Sequence, residues 1–228
     1  MKLSKETLAI LKNFARINSN LMVFPGNRIK TVNSQQPSIV AYATVEETFP
    51  TQFGIYDLPA FIGALDLFET TPDLKFENNY VRMEGTGSSV KFYYANESLL
   101  VYSKKKIVFQ GADVEFTIKE QDFQRIMRAS STLASTDVGF VGDGSGSVAV
   151  VVGDKSSQTS NAFTLDLGAA SSDIQFTAYL KIENMKMIPG EYKVSLNRHK
   201  VGNFLSLDEK LQYIIALEVQ STSFVIPE

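Results

Sequence analysis

The chain has 228 residues, 44% of them hydrophobic, with no cysteine and no tryptophan. That length holds one large domain or two small ones, and the lack of cysteine excludes disulfides and thiolate-bound metals. With 22 Lys and Arg against 25 Asp and Glu the net charge is −3. No apolar run is long enough to cross a membrane, and MKLSKETL has none of the features of a signal peptide, so a cytoplasmic protein is expected.

The first predicted element is an amphipathic helix over Lys2–Asn18. Ser4 suits its N-cap and Glu6 its first turn, where an acid meets the positive end of the helix dipole. Leu3, Leu8, Ile10, Leu11, Phe14 and Ile17 share one broad face, and Lys5, Lys12 and Arg16 fall in a narrow arc opposite. Alternating, β-branched runs then predict strands over Leu21–Phe24, Ser38–Thr44 and Gln52–Tyr56, with turns at Ser19-Asn20 and Pro25-Gly26-Asn27. A second helix is predicted over Asp57–Phe68, capped by Asp57 and with Pro59 in its first turn. A strand meander over Leu74–Phe76, Tyr80–Met83 and Val90–Tyr94 completes the first half.

Asn96–Asp113 breaks the pattern with its Lys104-Lys105-Lys106 triplet and reads as an extended connector. The opening theme then returns. Phe116–Ser131 lays over the first helix, matching Leu3 with Ile118, Leu8 with Phe123 and Leu11 with Ile126, with Arg125 and Arg128 on the outer side. Strands follow at Val138–Val141, Ser147–Val152, Asn161–Leu167 and Asp173–Leu180, then a helical turn at Ile182–Met187, strands at Tyr192–Leu196 and Leu211–Val219, and a tail STSFVIPE. The chain is therefore an internal repeat of supersecondary units. Its class is α+β: two similar domains of antiparallel sheet with helices on one face, spanning 1–95 and 114–228 around a connector at 96–113.

Charge is not spread evenly. Residues 1–18 carry +3, residues 117–131 carry +1 and residues 181–200 carry +3, so in a chain of −3 the remainder holds −10. Such segregation points to a polyanion partner. Nothing comparable marks a catalytic or metal site. His199, the single histidine, lies in the polar stretch Asn197–Asn203 without a nucleophile or ligand set around it. Gly142–Ser147 (GDGSGS) lacks the Lys-Ser/Thr of a phosphate loop and reads as a hairpin tip, and Glu46-Glu47 reads as a loop pair. No catalytic residue, metal or cofactor is expected.

KLSKETLAILKNFARINS, YDLPAFIGALDLF, LVYSKKKIVFQGADVEFTIK, NMKMIPGEYKV and QYIIALEV resemble, in order and spacing, the sliding clamps of T-even-type bacteriophages. Residues 25–50 and 140–170 match only in pattern. The resemblance implies a homotrimeric ring around duplex DNA, without sequence preference. It implies further that the ring tethers the replicative DNA polymerase, is opened by an ATP-driven clamp loader and serves late-transcription factors, in the cytoplasm of an infected bacterial host. It places helices around the hole, and hence Lys5, Lys12, Arg16, Arg125 and Arg128 toward DNA, followed by Lys2, Lys119, Lys181 and Lys186; the alternative for each is a solvated surface charge. It also implies that the strand near Lys91–Tyr94 pairs with the strand near Phe163–Leu167 of the next copy. Partner peptides would dock beside the connector, where Val108 and Phe109, with Phe224 and Ile226 in the tail, are apolar residues in polar company; the alternative is that these plug a gap between the domains. A rival of another class is a β-rich virion or assembly protein that forms a ring with no part in replication.

Overall fold

A computed structural model describes residues 1–33, 38–156 and 159–225. The chain divides into two compact units, Met1–Lys106 and Ile107–Glu228.

The first unit opens with helix α1 (Lys5–Ile17), shorter at its N-terminus than the amphipathic pattern. Met1 is drawn out of the helix by a reciprocal backbone pair with Leu74, whose amide donates to Met1 O at 2.7 Å. Ser4 Oγ accepts from Thr7 N and caps the helix. Leu3 and Leu8 then occupy the two positions of a hydrophobic staple, which fixes how the chain enters the helix. Strands β1 (Leu21–Val23), β2 (Gly26–Val32), β3 (Ile39–Phe49) and β4 (Phe53–Ile55) follow. β2 pairs with β3 and β1 with β4, both antiparallel. The turn expected at 25–27 is instead the start of β2, where Gly26 takes φ 115° beside a register shift. Glu46 and Glu47, expected in a loop, lie inside β3. Helix α2 (Leu58–Leu65) is capped by Asp57, which accepts from Ala60 N at 2.9 Å. The meander β5 (Asp73–Phe76), β6 (Tyr80–Gly85) and β7 (Ser88–Tyr93) closes the unit in the order β5-β6-β7. α1 packs on β2, β3 and α2, and α2 on β7. Phe14 of α1 is fully buried, and Phe53 sits 5.9 Å from Phe49 and 5.3 Å from Phe76 between ring centroids.

In the second unit, strand β8 (Val114–Ile118) precedes helix α3 (Glu120–Leu133), so the helix predicted from Phe116 begins four residues later. Val114, Phe116 and Ile118 alternate inward and are buried, a period of two that belongs to a strand. Ile118 and Phe123 repeat the staple positions of Leu3 and Leu8. The remaining strands are β9 (Asp137–Asp143), β10 (Ser147–Val152), β11 (Phe163–Ala169), β12 (Gln175–Lys181), β13 (Tyr192–Asn197), β14 (Val201–Ser206), β15 (Leu211–Ala216) and β16 (Ser223–Val225). They run β11-β10-β9-β12-β16 in one sheet and β15-β14-β13-β8 in another, antiparallel throughout. α3 packs on β10 and β11. The predicted helical turn at 182–187 shrinks to a 3₁₀ turn, Ile182–Asn184, after which Met185 and Met187 plug the core. Two buried tyrosines pin the chain that follows: Tyr192 OH donates to Ile188 O, and Ile188 N donates to Tyr213 OH at 3.3 Å. Burial pushes the Tyr213 hydroxyl up to about 12. GDGSGS is the β9–β10 hairpin, with Gly144 and Gly146 both at positive φ.

Candidate nucleic-acid interface

α1 presents its cations because its other face is anchored. Ile10, Leu11, Phe14 and Ile17 are buried, while Lys5, Lys12 and Arg16 are exposed. The N-terminus of the helix is held by Glu47, a residue the sequence does not mark. Its carboxylate, buried on β3, accepts from Ser4 N and from Thr7 Oγ1. Burial pushes the Glu47 carboxyl up, but the bonds from Thr7 and Ser4 outweigh it and hold the group below the ordinary glutamate range. α3 repeats the arrangement, with Phe123 and Ile126 buried and Arg125 and Arg128 exposed. Lys119, exposed, stands at the N-cap without a side-chain bond.

Few of these cations are neutralised. Lys12 lies 3.9 Å from Asp66, Lys2 4.0 Å from Asp73 and Arg125 3.7 Å from Asp122, all of them solvated contacts of small energetic weight. Among the described residues, Lys5, Arg16, Lys119 and Arg128 have no acidic partner. Lys186 is half-buried.

The basic stretch 181–200 is different. It runs through strands and hairpins, and its cations meet acids there. Lys181 Nζ is 2.9 Å from Asp137, Lys193 is 3.1 Å from Glu115, and Arg198 binds Asp113 through both its side chain and its amide. Asp137 is only 3% exposed. Burial raises its pKa, yet Lys181, Thr136 and Lys155 together keep it below the ordinary aspartate range, and Asp137 in turn raises Lys181. Lys155 joins the cluster, 3.4 Å from Asp137 and 3.1 Å from Glu218. The +3 of this stretch is therefore largely internal, and Lys181 is engaged in an ion pair.

The four apolar residues singled out for a partner peptide are not brought together. Val108 is 58% exposed and Phe109 half-buried. Phe224 lies on β16, stacked on buried Phe176 with centroids 5.7 Å apart, and among the described residues makes no ring contact with Phe109. Ile226 lies outside the described residues. The connector is tied by amides that the sequence left unmarked. Asn18 Nδ2 donates to Val32 O and Val101 O, and Asn20 Oδ1 accepts from Val101 N. Lys30 Nζ donates to Ser103 O and Lys105 O, and Asn197 Nδ2 to Gln110 O and Gly111 O. His199 is exposed at the tip of the β13–β14 hairpin. Among the described residues no three acids or histidines gather as a metal site, and no helix is long and apolar enough to cross a membrane.

Two units of antiparallel sheet, each backing a helix that turns cations outward, have the fold of the DNA sliding clamps. The structure matches that of A. fulgidus PCNA, solved with the C-terminal region of FEN-1, with a TM-score of 0.74 at 9% identity over 100% of this chain and 98% of that one. It also matches a DNA polymerase III beta chain from Streptococcus pneumoniae (TM-score 0.68, 13% identity, 99% and 65% covered). Family models for "DNA polymerase processivity factor" and "gp45 sliding clamp, C terminal" match residues 4–109 and 115–219. The sliding clamp of Vibrio phage KVP40 is 34% identical over 224 residues, covering 96% of this chain and 99% of its own, and that of Enterobacteria phage T4 is 32% identical over 229 residues, covering 97% and 99%. The chain belongs to the phage sliding-clamp family and is a processivity factor of phage DNA replication. The virion-protein reading is set aside by these matches.

Proposed function

We propose that three copies close into a ring around duplex DNA and hold the replicative polymerase on its template, without catalysis of their own. The observation that carries this reading is the repeated helix with a buried apolar face and an exposed cationic one: Lys5, Lys12 and Arg16 on α1, Arg125 and Arg128 on α3. Lysines and arginines facing phosphates attract the duplex and carry no base information, as sliding requires. Lys119 is exposed at the start of α3 and adds to this set, and Lys2 and Lys186 are secondary. Lys181 is withdrawn from it by Asp137.

In this reading residues 1–95 and 114–228 are the two clamp domains and 96–113 the connector. Exposed Val108, with Phe109, is the apolar element offered to partner peptides of the polymerase, an ATP-driven loader and late-transcription factors in the host cytoplasm. The relatives' names and the family models support the replication role. The test is retention on DNA. The loaded protein stays on nicked circular DNA and leaves the same molecule once it is linearised, and polymerase run length rises in its presence. Equal release from circle and line overturns the reading.

A further inference from the structure

The cavity between α3 and β11 is unlike the rest of the cationic surface. It holds about 390 Å³, with Ala129, Leu133 and Phe163 as an apolar floor and Arg125 and Arg128 at the rim. Arg125 lies over the Phe163 ring, 5.8 Å from its centroid. β11 is the last strand of its sheet, paired on one side only, and so is β7 in its own sheet. Such edges offer a row of unpaired backbone groups to another chain. On the helix-backed side, both edges carry half-exposed apolar side chains: Val90 and Phe92 on β7, Phe163 and Leu167 on β11. Phe92 meets Phe61 of α2 edge-on, 5.2 Å between centroids.

α2 has the complementary charge. Residues 57–69 contain Asp57, Asp66 and Glu69, all exposed, and no lysine or arginine. An acidic helix has no place against phosphates, but it fits a rim of two arginines. Every strand pairing in each unit is antiparallel. The same rule applied to β7 and β11 of two copies sets the end of β7 beside the start of β11, hence Phe92 beside Phe163. The first turn of α2, with Asp57 and Ala60, then comes to the arginine rim.

We propose that this cavity is a docking site for α2 of a second copy, with β7 of that copy laid along β11 and Asp57 facing Arg125 and Arg128. The proposal rests on the ring reading and narrows it, because two of the cations then serve the contact between copies rather than the duplex.

The test reads self-association by sedimentation across a range of protein concentrations. Arg125→Glu with Arg128→Glu raises the dissociation constant at least tenfold. Asp57→Asn, which keeps a good N-cap and removes the charge, gives a smaller rise and a weaker salt dependence. Because the chain has no cysteine, a second arm is clean: Ala60→Cys chains mixed with Thr132→Cys chains form a disulfide-linked pair under mild oxidation, and this arm decides the matter should the charge-reversed variant fail to fold. A wild-type assembly whose strength is indifferent to the arginine reversals, or the absence of the mixed disulfide, overturns the docking site and leaves the ring intact. A wild-type chain that stays monomeric at every concentration, and does not distinguish circular from linear DNA, overturns the ring and the docking site together.

Discussion

Glu47 shows how one carboxylate can set a functional surface from beneath. Its two bonds to the first turn of α1 satisfy donors that a helix N-terminus otherwise leaves open, and its charge sits at the positive end of the helix dipole. Glu47→Gln removes the charge and costs about 1.5 kcal/mol in denaturant unfolding at neutral pH. The folded-state pKa is lowered, so this contribution is complete above the ordinary carboxylate range and is lost as pH falls through the folded value. The gap between wild type and variant therefore closes on acidification; a gap that widens in acid would show that Glu47 is not the ionised cap. Asp137 obeys the same sign, since its pKa too is lowered. Asp137→Ala leaves Lys155 and Lys181 without their shared acid and costs about 3 kcal/mol, the order expected for breaking a buried ion pair. An unchanged unfolding midpoint would mean that solvent already screens the cluster.

At the scale of elements, the connector depends on residues far from it in sequence. Asn20→Ala removes the acceptor of the Val101 amide and one donor to Tyr56 O. At about 1 kcal/mol per bond, amide exchange at Val101 speeds roughly fivefold while β3 amides keep their protection. Uniform acceleration across the first unit would instead mark Asn20 as a global stability residue. Neither asparagine is legible in the sequence, because a side-chain bond spanning some eighty residues leaves no periodic trace. The helices were legible for the opposite reason: in α1, α2 and α3 the caps, apolar faces and charged faces are written locally, at spacings of three and four. Strands were legible where they alternate and lost where small or polar residues interrupt them. β14 was missed because Gly202 and Asn203 sit inside it; a Cβ at Gly202 would lie 3.1 Å from the Leu196 side chain, so tight packing selects the glycine that disguises the strand. β8 was absorbed into the helix after it, though Val114, Phe116 and Ile118 alternate. Of the candidate site, the α1 and α3 cations were readable as exposed faces, whereas the pairing of Lys181, Lys193 and Arg198 was not, since their acids lie far off in sequence.

For the whole molecule, attraction and retention separate. Phosphate contacts by exposed cations are screened by salt, and each one released lowers the slope of log affinity against log salt by about 0.9. A closed ring is held by topology, which salt does not screen. The chain alone, binding a short duplex without a loader, thus loses affinity steeply as salt rises. Lys5→Ala, Lys12→Ala and Arg16→Ala together flatten that slope by up to about 2.7 when all three meet phosphates. These residues are exposed on a helix that tolerates alanine well, so the unfolding midpoint stays within about 0.5 kcal/mol of wild type. Once loaded on nicked circular DNA, the triple variant and the wild type dissociate at the same rate in high salt, because opening the ring, not leaving the phosphates, limits release. Anisotropy titrations across salt check the first expectation, and dissociation from circular DNA checks the second. A triple variant that escapes the circle faster in proportion to its weaker duplex binding would mean that charge, not closure, keeps this protein on DNA.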